Sequence, residues 1–391
     1  MFIQAMPGVE AVKWSQVVEG RTRLTVPYES LGVREPPTTP VFFNPAASVN
    51  RDVSVAVTEA TDGRSFCDSL CGVGARGVRI AREVRRRVTV ELVDFNQLAL
   101  RAARRNALLN GVEERCRITR SEANSFLYSR FRRGEKFDYV DVDPFGTPVP
   151  YFMGAVSATS DGGLVSFTAT DTAVLCGVHR AVARRRYMAE PMNNHFCHET
   201  ALRILFNSCR RFAASLDIGL EPVAAHSTRH YLRIFCRVRV GPSLADRLSS
   251  GEGHVAWCPA CGRTSVSGGV ESRCAECGST QRSAGPLWVG EMADMNVVRR
   301  AADFARRRGM KAALTILERL ASSAGLPPFG YSVEEACSRA GVSSVSETSV
   351  VGRLREVGFR AERQPFEERG IKTDAPYGEV LRAVKQLSAG R

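Results

Sequence analysis

The sequence predicts an α/β fold in two parts: a Rossmann-like domain with a mostly parallel sheet, then a smaller C-terminal α+β domain. Three observations predict it. Short β-branched runs alternate with helical segments between residues 65 and 168. The first run opens into Gly72-x-Gly74 and then a helix, which brings backbone close to any ligand at that turn. Near Gly241-Pro242 the composition changes, and residues 254–290 become rich in Gly, Cys and Ser. With 391 residues the chain is long enough for two domains, and the expected division is 1–242 and 243–391.

Residues 1–60 read as an irregular lead-in. Arg34 to Pro45 carries four prolines, and Asn44-Pro45 marks a turn. A helix is expected over Val53 to Ala60, with Asn50 or Asp52 near its N-cap. Expected strands are Ser65 to Leu70, Val88 to Val93, Cys116 to Thr119, Phe137 to Val142 and Gly163 to Thr168. Helices are expected over Val78 to Arg85 and Gln97 to Leu109. A long helix follows over Glu199 to Leu216. Glu221 to Ala225 and Tyr231 to Val240 lie too close for a helical crossover, so they read as an antiparallel pair at the sheet edge. From Asp294 the period becomes helical: Asn296 to Arg308, Lys311 to Ser322, Val333 to Ala340 and Glu347 to Val357. Gly309 and Gly341 read as C-caps. Phe359 to Glu362 and Gly370 to Thr373 read as the strands of a wing, so 294–391 is winged-helix-like.

The net charge of +13 points to an anionic partner. Only five of the 54 basic residues are lysines, so arginine bias is the bland alternative. No run of eighteen apolar residues exists, so no membrane span is expected, and no signal peptide is evident. The twelve cysteines suit a reducing cytoplasm better than a disulfide framework. Cys116, Cys197, Cys209 and Cys236 read as small buried hydrophobes.

Asp94 ends the second strand, 22 positions after Gly72, where a carboxylate can hold two ribose hydroxyls. With Gly77 the turn is formally G-x-G-x-x-G, which by itself does not separate NAD, FAD and S-adenosylmethionine. Asp68, four residues before Gly72, can meet an amino-acid ammonium, and no hydride-transfer set stands out. Glu122-Ala123-Asn124 ends the third strand where an adenine edge would lie. These features favour S-adenosylmethionine.

Asp143-Pro144-Phe145-Gly146 follows the fourth strand, at the sheet edge where such folds bind ligands. An amine conjugated to a purine is a poor nucleophile, and its lone pair must be aimed at the methyl carbon. Asp143 can accept one N–H and take up developing positive charge. The Pro144 carbonyl can accept the other, and Phe145 can stack on the base. Asp141 ranks second for catalysis, since side chains alternate along a strand. Thr170 and Asp171 follow the fifth strand and can line the base pocket, or cap a helix. His198 and His230 read as pocket or packing residues, and no two histidines form a metal set.

Cys258-Pro-Ala-Cys261-Gly and Cys274-Ala-Glu-Cys277-Gly are two CxxCG knuckles. Four thiolates so spaced are a strong signal for structural zinc, and define a ribbon at 254–290.

On these stretches the chain resembles the tRNA guanine-26 N2-dimethyltransferase family, a class I S-adenosylmethionine-dependent methyltransferase family. The resemblance rests also on Val41-Phe-Phe-Asn-Pro45 with Asn50-Arg51-Asp52, Asp68 to Gly77, Thr168-Ala-Thr-Asp-Thr172, and Cys176-Gly177. His198-Glu199, His230-Tyr-Leu-Arg233, Gly285 to Gly290 and Gly370-Ile-Lys-Thr373 extend it to nearly the whole chain. It implies that Asp143 is the catalytic residue and that Arg51, Asp94 and Ala123 hold the cofactor; with Asp68, Gly72, Gly74, Arg76 and Glu122 these form the candidate cofactor set. It places Phe42 or Phe43 over the base. It implies a tRNA partner bound through residues 243–391, a cytoplasmic monomer, and no membrane association. Arg363-Gln364-Pro365 departs from the family's Arg-Thr-His-like stretch, which puts a tRNA contact there in doubt. Position 27 or 10 of tRNA is an alternative target. A non-catalytic zinc-ribbon and winged-helix binding protein would need neither Asp94 nor Asp143.

Overall fold

The computed structural model describes residues 12–32 and 40–390; Arg34, Pro36 and Pro37 of the proline-rich lead-in lie outside the described residues. The chain opens with an antiparallel hairpin, β1 (Trp14–Glu19) and β2 (Thr22–Pro27). The expectation of an irregular lead-in is therefore corrected. The hairpin's apolar face, Leu24 and Val26, is covered by Val41, Phe43, Val73 and Ala75. Those partners come from distant sequence, so no local pattern announces the ribbon.

Helix α1 (Ser48–Glu59) precedes a strand–helix alternation: β3 (Ser65–Asp68), α2 (Ala75–Glu83), β4 (Thr89–Asp94), α3 (Gln97–Leu109) and β5 (Cys116–Arg120). It continues through α4 (Ala123–Arg132), β6 (Phe137–Val142), α5 (Phe152–Ser157) and β7 (Thr159–Ala169). Two short helices, α6 (Thr172–Leu175) and α7 (Arg180–Tyr187), lead to α8 (Cys197–Ala214). The expected edge pair is present as β8 (Ile218–Thr228) and β9 (Tyr231–Val240). The sheet order is β5-β4-β3-β6-β7-β9-β8. The strands from β5 to β7 run parallel, while β9 is antiparallel to both β7 and β8. Strand order reverses between β3 and β6, and a ligand crevice opens at the carboxyl ends of strands flanking such a switch. Asp68 ends β3, and Asp143 follows β6 directly.

After α9 (Pro242–Ser249), three strands form the cysteine ribbon: β10 (Glu252–Trp257), β11 (Thr264–Ser267) and β12 (Arg282–Trp288), with β10 central. The C-terminal part adds α10 (Met295–Arg308), α11 (Lys311–Ser322), β13 (Tyr331–Ser332), α12 (Val333–Ala340) and α13 (Glu347–Glu356). It ends with β14 (Ala361–Arg363), β15 (Gly370–Thr373) and α14 (Tyr377–Ala389). Gly309 and Gly341 close α10 and α12 in the left-handed conformation expected of them, at φ 69° and 66°.

Hydrophobic burial does not divide at residue 242. Val255, Leu287, Val297, Phe304 and Leu317 belong to the same core as the seven-stranded sheet, and α10 lies against α1. A separate core, including Val333, Val350, Leu354, Ile371 and Val380, holds the wing strands and α12–α14. The two regions meet at Glu199 of α8, which is fully buried. Its carboxylate accepts from Arg203 Nε (2.9 Å), Phe329 N (3.0 Å), Gln364 Nε2 (2.7 Å) and Lys372 Nζ (3.2 Å). Gln364, which departs from the family stretch, is thus an internal tie rather than a surface residue. Among the described residues no helix is long and apolar enough to cross a membrane.

Candidate active site

The floor of the crevice is an ionic cluster. Arg76, in the first turn of α2, is buried and reaches under the strand ends. Its Nε lies 2.9 Å from Asp141 Oδ2, and its Nη2 donates to Asp143 Oδ2. Its Nη1 donates to Asn50 Oδ1 (3.0 Å) and Ser54 Oγ (2.5 Å) on α1. Asp141 is fully buried and also accepts from Arg233 Nη2 and Ser166 Oγ (2.5 Å). A charge placed there is stable only when paired. The expectation that Asp141 could serve catalysis is corrected, because it faces arginines rather than the crevice. Arg76 is likewise placed against the carboxylates, not against the glycine turn. Arg233 received no role from sequence, though an arginine inside the apolar run of β9 is a signal for a buried partner.

Asp143 is the exposed member, with about a quarter (24%) of its side chain accessible. Burial pushes its carboxyl up, but Arg76 and Arg233 outweigh that and hold it below the usual carboxylate range. It is therefore an ionised acceptor at neutral pH. Asp68, buried behind it, behaves oppositely. Burial and the neighbouring Asp141 raise it to about 7, although Gly77 N donates to it at 3.1 Å.

Phe145 is 69% exposed, unusual for a large apolar side chain. Its ring centroid lies 5.7 Å from that of Phe42 at 48°. Phe43 points the other way: it is buried in the core under the hairpin, with Arg51 over its ring at 4.8 Å. Of the two phenylalanines expected over the base, only Phe42 stands at the crevice. The turn carrying Phe145 is pinned by Thr170, whose Oγ1 accepts from Gly146 N (2.7 Å) and whose N donates to Gly146 O (2.9 Å). Gly146 takes φ 74°, which suits glycine there. Asp171 stands at the N-cap position of α6, and its carboxylate is engaged within the protein. It accepts from Tyr187 OH (2.7 Å) and Arg186 Nη1 (3.2 Å). Tyr187 OH also bonds Thr147 Oγ1 (2.8 Å), so this unforeseen phenol ties α7 to the segment after Phe145.

At the cofactor end, Asp94 Oδ2 accepts from Gly72 N (2.8 Å) and Oδ1 from Asn96 N (2.8 Å), which fixes the carboxylate at the end of β4. Gly74 takes φ 74° at the start of α2, and a side chain on Gly77 would strike Leu92 at 2.3 Å. The third glycine thus serves helix–sheet packing. Glu122 spends both oxygens capping α4, accepting from Asn124 N (2.9 Å) and Ser125 N (2.7 Å). Glu122 stays exposed, and buried Ala123 follows it as the first residue of α4. Arg51 binds Glu19 of the hairpin through Nε (2.7 Å) and Nη2 (2.6 Å). The segment over the crevice is fastened at both ends: Asn96 Nδ2 donates to Pro40 O, and Asn44 Nδ2 donates to Tyr231 OH.

The four ribbon cysteines converge. All sulfurs lie within 4.8 Å of one another, with Cys258–Cys277 and Cys261–Cys274 at 3.5 Å. Tetrahedral zinc with Zn–S of about 2.3 Å places sulfurs roughly 3.8 Å apart, so the set fits that ion. Among the histidines, His198 Nδ1 pairs with Glu367 Oε2 (2.7 Å) and His195 Nδ1 with Glu335 Oε2 (2.6 Å). His230 is exposed in the turn between β8 and β9, so its packing role is corrected. Cys197 is only partly buried and sits beside His198, which corrects its reading as a buried hydrophobe.

Residues 20–385 match the model of the N2,N2-dimethylguanosine tRNA methyltransferase family. The chain belongs to this family. A family member from Methanopyrus kandleri, a tRNA (guanine(26)-N(2))-dimethyltransferase, is 39% identical over 364 residues, covering 92% of this chain and 93% of its own. The enzyme of that name from Methanosarcina acetivorans is 36% identical over 392 aligned residues, covering 95% and 98%. The solved structure of Trm1 from Pyrococcus horikoshii with S-adenosyl-L-methionine is 27% identical, with TM-score 0.82 over 94% of this chain and 99% of that one. Membership in the dimethyltransferase family thus extends across both the sheet domain and the ribbon.

Proposed function

We propose that this protein is a tRNA (guanine26-N2)-dimethyltransferase, transferring one or two methyl groups from S-adenosylmethionine to the exocyclic amine of guanine 26. The observation that carries the reading is Asp143, an ionised carboxylate at the sheet's switch point beside the exposed Phe145 and Phe42. The sulfonium supplies an activated methyl, so the chain's task is mainly to position and to accept a proton.

Phe42 and Phe145 hold the flat base, and Asp143 and the Pro144 carbonyl accept the two amine hydrogens. That aims the nitrogen lone pair and stabilises the positive charge it gains. Asp143 then takes the proton the amine must lose. Arg76 acts behind it, fixing the carboxylate's direction. Asp68, Gly72, Gly74, Asp94 and Ala123 hold the cofactor, and Arg51 contributes through the Nη1 it does not spend on Glu19. Arg76 and Glu122 support this shell from behind, and Thr170 holds the base-stacking turn. The zinc ribbon and residues 243–391 bind tRNA; the enzyme acts as a cytoplasmic monomer.

The test is mass spectrometry of nucleosides from unmodified tRNA incubated with enzyme and cofactor. N2-methylated and N2,N2-dimethylated guanosine should map to position 26 and vanish in a tRNA carrying adenine there. Methylation mapping to position 10 or 27 instead would overturn the assigned target.

A further inference from the structure

We propose that Cys176, Cys197 and His198 form a second metal site for a borderline-soft divalent ion such as zinc, separate from the ribbon. The two sulfurs and His198 Nδ1 all lie within 4.8 Å of one another. Cys197 Sγ and His198 Nδ1 are 3.9 Å apart. Ligands around tetrahedral zinc stand roughly 3.5–3.8 Å apart, given Zn–S of about 2.3 Å and Zn–N of about 2.0 Å. The three atoms are thus spaced as ligands around a common ion. Thiolate and imidazole together select zinc over the hard oxygen-seeking cations.

Glu367 stands beside these three without joining their convergence. Its Oε2 is 2.7 Å from the same Nδ1, closer than the roughly 3.3 Å between N and O ligands of one tetrahedral ion. Its Oε1 is held by His198 N (2.8 Å) and Glu199 N (3.4 Å), the free amides at the start of α8. Glu367 therefore orients His198 in the metal-free protein, and Nδ1 exchanges this partner for the ion. On binding, both thiols and the imidazole Nδ1 must be free of protons, which pass to solvent. Two thiolates balance the charge of the dication, and water takes the fourth position.

The ligands come from separate parts of the chain. Cys176 follows α6, and Cys197 and His198 begin α8. An ion there ties the segment after α6 to the start of α8, beside the buried Glu199 junction. A disulfide between Cys176 and Cys197 is the competing chemistry. It requires an oxidant and leaves the approach of His198 to both sulfurs without a purpose.

The test is the zinc content of the full-length protein, prepared under reducing conditions and measured by elemental mass spectrometry. Two equivalents per chain are expected, falling to one in Cys176→Ser/Cys197→Ser and to one in Cys258→Ser/Cys261→Ser. His198→Ala should likewise lose the second ion. The wild-type count needs no variant, so a variant that fails to fold does not blunt the test. One equivalent in the wild type, abolished by Cys258→Ser/Cys261→Ser, overturns the proposal. So does a shortfall of two thiols in denatured, unreduced protein, which reports the disulfide.

Discussion

Lys372 Nζ lies 3.2 Å from Glu199 Oε1, and both groups are buried where the wing meets α8. A lysine in a wing strand of the segment proposed to bind tRNA is naturally read as a phosphate contact. Here its charge is spent inside the protein. Arg203 also neutralises Glu199, and the carboxyl is pulled down to about 2 against the raising effect of burial.

Lys372→Met should therefore act on stability rather than on tRNA affinity. Breaking a buried pair by removing one partner costs about 3–5 kcal/mol. The loss should appear in urea denaturation, with tRNA affinity nearly unchanged below the unfolding transition. The pH dependence has a definite sign. The folded pKa of Glu199 is depressed, so its stabilisation is present above its unfolded value of about 4.5 and is lost as pH falls toward 2. Acid unfolding of the wild type in that window should be steeper than that of Glu199→Gln.

Asp143→Ala should retain cofactor binding and lose turnover by roughly 100-fold or more, the range of a positioned acid–base group. Since Arg76 and Arg233 keep Asp143 ionised below the usual carboxylate range, turnover between pH 5 and 8 should show no acid limb from this residue. Single-turnover kinetics checks both statements. Activity within about tenfold of wild type would remove Asp143 from its assigned role.

Asp68 should make cofactor binding pH-dependent. Its folded pKa is raised to about 7, chiefly by burial and then by Asp141. In the ligand-free protein its contribution to stability is fully present below about pH 4 and is lost as pH rises through 7. An amino-acid ammonium reverses the preference, because it pairs only with the carboxylate. S-adenosylmethionine should bind about fivefold tighter at pH 7 than at pH 6, where its ammonium is still charged. Calorimetry across that range should show a flat profile in Asp68→Asn.

The strands carrying these residues were legible because their chemistry is local. Phe137–Val142 and Tyr231–Val240 have the bounds that β-branched content and flanking turns predict. What joins them was not legible. Arg76 meets Asp143 across 67 residues, and Arg233 meets Asp141 across 92. A single sequence shows a charge in an apolar strand but not its partner. Asp171 stands at the N-cap position of α6, one of its two expected places, but its partner Tyr187 was not legible, since it lies on α7, a polar helix with no apolar stripe to mark it. The β1–β2 hairpin was missed because Phe43 and Val73 cover it from afar.

Chelation should weaken tRNA binding more than cofactor binding. The ribbon turn is clasped by the wing: Arg339 donates to Ala260 O and Pro259 O, each at 2.7 Å. Loss of the ion frees those carbonyls, so disorder should spread from residues 254–290 into α12. Hydrogen exchange would show both segments loosening together. tRNA affinity should fall at least about tenfold, or 1.4 kcal/mol, while S-adenosylmethionine affinity changes little. Equal losses of both affinities would place the ribbon's influence at the cofactor crevice instead.

The last prediction concerns α7, which carries Arg180, Arg184, Arg185 and Arg186 beside the base-stacking turn. Arg180 and Arg184 pair with Glu190, and Arg186 pairs with Asp171. Arg185 is exposed and has no ion-pair partner among the described residues. A paired arginine must exchange a carboxylate for a phosphate, so it gains little on binding. A free one releases a counterion from the RNA and delivers its full charge. Arg185→Ala should therefore weaken tRNA binding and reduce the slope of log affinity against log salt by about one. Arg186→Ala should instead act through Asp171 and Tyr187, lowering kcat with a smaller change in slope. Filter binding at several salt concentrations separates the two, and an unchanged slope in Arg185→Ala would move the phosphate path off this helix.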